Sequence, residues 1–190
     1  MNKIIWPLLL CAVLCGCGGG ETGSAVQEQY RTLETARLEA EVTSHTSTDS
    51  RTFTLLCSYD ADGNAVTTVT APGELAGLTA VVSGTDMTLS SEGLQLPAGA
   101  SLDICPANCL PYLLRALADG YVLEQNSEAL DDTPCLRLAL DTTAPGGGKV
   151  LCAVWLDAEG LFPRYAEFSR NEQVVLTVKL LAFTCTTSEG

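Results

Sequence analysis

The sequence is short of the residues that most often carry chemistry. It has one histidine, His45, and ten lysines and arginines against 23 acids, for a net charge of −13. No G-x-S-x-G turn is present to hold a nucleophilic serine, and His45 would have to act as a base without a matching partner. Zinc sites are announced by close cysteine or histidine pairs, and His45 has no such neighbour. It reads as an exposed residue on an early strand or loop. The acid excess repels phosphate, which excludes nucleic acid as a partner and rules out a basic membrane-binding surface. Asp103, Asp119, Glu124, Asp131, Asp132, Asp141 and Asp157 fall mostly at turns and element ends, as a solvated surface does. No enzyme, cofactor or metal is expected.

Two loops imitate ligand motifs and lack their essential parts. DADGN (60–64) has neither the sixth-position glycine nor the twelfth-position acid of a calcium loop, where Ala71 stands. PGGGK (145–149) continues into Val150, without the hydroxyl of a phosphate loop and with a strand pattern following. Both read as turns.

Long apolar runs are also missing after the start of the chain. Ile4 to Leu14, behind Lys3 and interrupted by Pro7, falls short of the roughly 20 residues a membrane span needs. It fits the apolar region of a secretory signal. The following Leu14-Cys15-Gly16-Cys17 resembles the lipobox of bacterial lipoproteins, Leu-x-Gly/Ala-Cys, in which the cysteine is acylated and becomes the new N-terminus. Cys11 and Cys15 follow bulky leucines and do not fit that role. The expectation is a signal over 1–16, lipidation at Cys17, and a flexible tether over 17–24. Two or three acyl chains, at about 0.8 kcal/mol per buried methylene, then hold the body to a leaflet.

The body, residues 25–186, reads as one α+β domain. AVQEQYRTLETARLE (25–39) places Val26, Tyr30, Leu33 and Arg37 or Leu38 on one helical stripe. The chain then turns to period-two patterns, beginning near EAEVTSHTSTDS. TFTLLCSY (52–59) and AVTTVTAP (65–72) form a hairpin about Asp62-Gly63. Short strands follow over 78–96, then hairpins over 134–157 and 161–185, for about eight to ten antiparallel strands. Between the strand blocks, CPANCLPYLLRALADGY (105–121) places Leu110, Leu113, Leu114 and Leu117 at helical spacing. Pro106 suits its start and Gly120 its stop. One curved sheet with two helices against its concave face satisfies both patterns.

This succession resembles the LolA/LolB-type fold of lipoprotein-sorting carriers and RseB-type envelope proteins. The resemblance rests on TFTLLCSYDADGNAVTTVTAP, the leucine-rich helix ending ALADGY, and AVWLDAEGLFPRYAEF before VVLTVKLLAF, and it spans about residues 25–185. It implies an open half-barrel with helices as a lid over a cavity for acyl chains. The layout is also similar to lipidated LolA-like envelope or germination lipoproteins of spore-forming bacteria. The expected function is that of a lipid-anchored protein outside the bacterial cytoplasmic membrane, the outer membrane remaining open. It would bind an acyl chain or a lipidated or apolar partner. The alternative is an envelope protein-docking or sensor module with a collapsed cavity. Leu110, Leu113, Leu114 and Leu117 are the candidate lining, facing strand residues among Phe53, Leu55, Val154 and Trp155; parity leaves the concave face open. Outside the signal and Cys17, the six cysteines Cys57, Cys105, Cys109, Cys135, Cys152 and Cys185 are either disulfides of unassigned pairing or buried thiols.

Overall fold

A computed structural model describes residues 19–46, 48–100, 103–144 and 147–188. The expected signal and Cys17 lie outside them. The described residues form one antiparallel sheet of eleven strands with two α-helices. The strands are β1 (Leu33–His45), β2 (Ser50–Asp60), β3 (Ala65–Ala71), β4 (Thr79–Ser83), β5 (Asp86–Ser91), β6 (Leu94–Ala100), β7 (Tyr121–Leu130), β8 (Thr133–Thr143), β9 (Lys149–Asp157), β10 (Pro163–Arg170) and β11 (Gln173–Thr187). The helices are α1 (Gly19–Arg31) and α2 (Cys109–Asp119).

The spatial order is β6-β5-β4-β3-β2-β1-β11-β10-β9-β8-β7. Every neighbour but one follows in sequence, so hairpins build most of the sheet. The exception is the central pair, in which β1 joins β11 and the two ends of the domain meet. The free edges, β6 and β7, are consecutive in the chain. The connection between them must travel from one edge to the other, and α2 lies on that route. It packs against β2 and β8, on opposite sides of the centre.

Three expected boundaries move. The first helix ends at Arg31, not 39, and residues 33–39 belong to β1. From Ala36 the buried residues alternate as Ala36, Leu38, Ala40 and Val42, the period of a strand. Good helix formers occupy the exposed positions between them, but pairing with two long neighbours overrides that propensity. The helix also begins at Gly19, so the expected tether does not extend to residue 24. The central helix occupies 109–119; Pro106 sits in a turn ahead of it. There Asn108 accepts from the Cys105 N–H at 2.8 Å and donates to the Asp103 carbonyl at 3.2 Å. At the far end the Gly120 N–H donates to the Ala116 carbonyl.

One core fills the concave side. Nine of the eleven α2 residues are buried, and Leu110, Leu113, Leu114 and Leu117 are at most 1% exposed. They pack with Leu38, Val42, Leu138, Leu140, Val154 and Phe168. The helix is clasped from both arms. Arg115 donates to the Gly63 carbonyl at 2.6 Å and the Gly84 carbonyl at 2.9 Å, both in hairpin turns. On the other side the Tyr112 hydroxyl bonds Thr142, and its ring meets Phe168 edge-on. Helix α1 covers the flank, with Gln27 donating to the Gly120 carbonyl and Tyr30 to that of Leu161.

Candidate functional site

The half-barrel is filled beneath the middle of α2 and open beneath its start. A partly open cavity of about 210 Å³ lies between the β2–β5 arm and the turn leading into α2. Phe53, Leu55, Val69, Ala80 and Leu89 supply the sheet wall, and Leu75 and Leu78 one side. Cys105, Pro106 and Ala107 form the roof. The wall is almost entirely apolar. Thr67 contributes a buried hydroxyl that finds no hydrogen bond of ordinary geometry; the Cys57 thiol lies against it across the β2/β3 pair. An apolar void of about 150 Å³ already accepts a benzene-sized guest, so this one is large enough for several carbons of a chain.

The apolar surface continues outward from the cavity. Leu89 is paired with Leu96, and cross-strand partners share a face, so Leu96 and Leu94 extend the same side of the sheet. They are 68% and 73% exposed, on an edge strand, and Leu75 is also exposed. Scattered exposed leucines are ordinary; a group of them at the mouth of an apolar void is a binding surface in form.

The residues expected to line a cavity therefore divide into three sets. Phe53 and Leu55 line it. Leu110, Leu113, Leu114, Leu117 and Val154 are instead packed in the filled core. Trp155 points to the convex face, where it meets Tyr165 at a ring separation of 5.4 Å and lies beneath the Arg137 guanidinium. Adjacent strand residues face opposite ways, so Val154 and Trp155 never shared a side. The remaining wall comes from β3–β5 and the loop between β3 and β4, which sheet pairing holds together, and from the 105–107 turn, more than ten residues beyond β5.

All six cysteines of the described residues are free thiols. Cys135 sits alone among the thiols in the convex cluster, so geometry denies it a partner on the concave side. Cys57 and Cys109 are buried in the main core, with Cys105 one turn ahead of Cys109. Burial pushes the Cys57 thiol up to about 11 and raises those of Cys105, Cys109, Cys152 and Cys185. The reactive form of cysteine is the thiolate, which this environment disfavours. These thiols act as small apolar side chains. Among the described residues no group of His, Cys, Asp or Glu is placed to hold a metal ion. His45 ends β1 half-buried, bonded to Ser50 and Thr177 hydroxyls. DADGN is a hairpin turn in which Asp60 accepts from Asp62 and Asn64. Among the described residues no helix is long and apolar enough to cross a membrane.

No protein-family model and no curated protein matches the sequence. Solved structures do share its architecture. A LolA superfamily protein from Nitrosomonas europaea superposes with a TM-score of 0.53 at 11% identity, covering 88% of this chain and 94% of that one. An uncharacterized conserved protein from Thermus thermophilus gives a TM-score of 0.53 at 8% identity, covering 88% and 90%. The coverage takes in most of both chains, and the chain has a LolA-like fold.

Proposed function

We propose that this protein is a bacterial lipoprotein, anchored outside the cytoplasmic membrane through Cys17, that holds the end of an acyl chain in its cavity. The chain would be free or carried by a lipid or lipoprotein. The observation that carries this reading is the nearly polar-free void whose mouth runs into exposed Leu75, Leu94 and Leu96. Burying each methylene there is favourable by about 0.8 kcal/mol. A cavity of about 210 Å³ takes only the terminal part of a long chain. The rest would lie along the leucine lip. No chemical step belongs to this function.

The anchor supports the same reading. In sequence a single residue, Gly18, separates Cys17 from the first residue of α1. An acylated Cys17 would hold the domain against the leaflet from which chains are drawn. Metabolic labelling with palmitate tests this: Cys17→Ser should lose the label, and retention of label would move the anchor elsewhere.

A second reading, an envelope protein-docking module without a lipid ligand, is favoured by the filled core beneath α2. Native mass spectrometry of the mature chain carrying Cys17→Ser separates the two. Bound lipid, or uptake of one added fatty acid, supports the cavity reading; a clean mass that ignores added lipid refutes it.

A further inference from the structure

At the C-terminal end of α2, away from the apolar cavity, the surface opens into two adjoining clefts of about 380 and 630 Å³. They share one wall, Asp119-Gly120-Tyr121. Tyr121 stands on that wall 73% exposed. Among the described residues its ring stacks on no other and its hydroxyl has no hydrogen bond. Tyr30, Tyr112 and Tyr165, in contrast, are each held by a ring contact and a hydroxyl bond.

The charges around Tyr121 cancel locally. Asp119 pairs with Arg31 at 3.3 Å, Asp141 with Lys149 at 3.0 Å, and Glu124 with Arg137 at 3.4 Å. The Asp119 side chain remains largely exposed and that of Asp141 partly so, and a carboxylate bonded through one oxygen can still accept through the other. Asp141 lies directly across the β7/β8 pair from Tyr121. Arg115, at the floor, has its guanidinium committed to two backbone carbonyls. Gln27, Thr85 and Thr143 add further polar groups.

This combination selects by exclusion. The local ion pairs leave no net charge to draw an anion or a cation, and the lining mixes apolar surface with hydrogen-bonding groups, which suits neither a bare ion nor a bare hydrocarbon. The ligand that fits has a flat C–H face for the ring and a rim of hydroxyls for the acceptors. A sugar ring has both. We infer that the clefts flanking Tyr121 are a binding site for a neutral oligosaccharide, with Tyr121 as the stacking platform and Asp119 and Asp141 as acceptors. The site is independent of the acyl-chain cavity and stands or falls without it.

The test is NMR of the mature chain with ¹³C-labelled tyrosine rings. It is titrated separately with an N-acetylglucosamine tetramer, a glucose tetramer and a lysine tetramer. The Tyr121 ring signals should move with at least one sugar while those of Tyr30 and Tyr112 stay fixed. Tyr121→Ala should weaken that sugar about tenfold, the loss of one stacking contact, and Tyr121→Phe should retain it. The wild-type titration needs no variant, so a poorly folded Tyr121→Ala would leave the test intact. Immobility of Tyr121 with both sugars overturns the assignment. So does a response to the lysine peptide alone, or unchanged affinity in a folded Tyr121→Ala.

Discussion

Trimming Leu113 to alanine separates a filled half-barrel from a ligand-lined one. Leu113 is fully buried on α2 among sheet side chains and touches no part of the apolar cavity. The substitution removes roughly three carbon groups, which at about 0.8 kcal/mol each gives a transfer loss near 2.4 kcal/mol. The helix is clasped from both arms by Arg115 and Tyr112, so the hole cannot close fully, and the residual cavity adds about 1 kcal/mol. The total is about 3 kcal/mol, in the range seen for buried leucines. In a domain of this size that corresponds to a melting temperature lowered by about 6–12 °C. Leu89→Ala is the matched control. Leu89 already borders the void and is only partly buried, so its loss should stay below about 1.5 kcal/mol. Urea and thermal unfolding of the mature chain with Cys17→Ser measure both. A cost below about 1 kcal/mol for Leu113→Ala would mean that α2 does not fill the half-barrel, and the division of the predicted lining residues would be wrong.

Other consequences follow from the thiols and the clasp. Cys57 is held near 11 by burial, against 9.0 for a free thiol. The unfolded chain therefore loses this proton first, and the stability it confers is whole below pH 9 and lost as pH rises toward 11. For Cys57 alone the loss is on the order of 2 kcal/mol, and urea melts on either side of pH 9 should show it; a flat profile would contradict the burial. In the native state, thiol reagent should react slowly with Cys105 and Cys185 and leave Cys57, Cys109 and Cys152 untouched, whereas unfolded protein reacts at all of them. Arg115→Met keeps the aliphatic stem but loses two charge-assisted bonds to hairpin carbonyls, costing about 2 kcal/mol. Amide exchange should accelerate in the turns around Gly63 and Gly84; unchanged exchange would show that the clasp does not hold the arm.

Much of the fold was legible where local signals agreed. The hairpin about Asp62-Gly63 combined alternating strands with a glycine at φ +78°, and β2 and β3 follow it closely. Leu110, Leu113, Leu114 and Leu117 announced a helix because nothing but a helix puts them on one face. Residues 33–39 misled because Leu33 and Leu38 continue the spacing of Val26 and Tyr30 by coincidence. What decides them is pairing with β2 and β11, and β11 lies some 140 residues away. Strand β7 was missed altogether; at the edge of the sheet, half covered, it shows no clean alternation. The site was harder still. Phe53 and Leu55 were identifiable as apolar strand residues, but a void depends on what fails to fill it. The leucines that looked most like a lining proved to be the filling. The cavity wall draws on β2, β3, β4 and β5 and on a turn more than ten residues beyond them, a juxtaposition with no local signature.

The central claim is that an acyl chain enters the void at the start of α2 and not the core beneath its middle. Methyl NMR with a fatty acid carrying a nitroxide at its chain end reads this directly. The Leu55 and Leu89 methyls should broaden, with the Leu113 and Leu117 methyls left sharp. Broadening centred on Leu113 and Leu117, or none at any methyl, would contradict the claim.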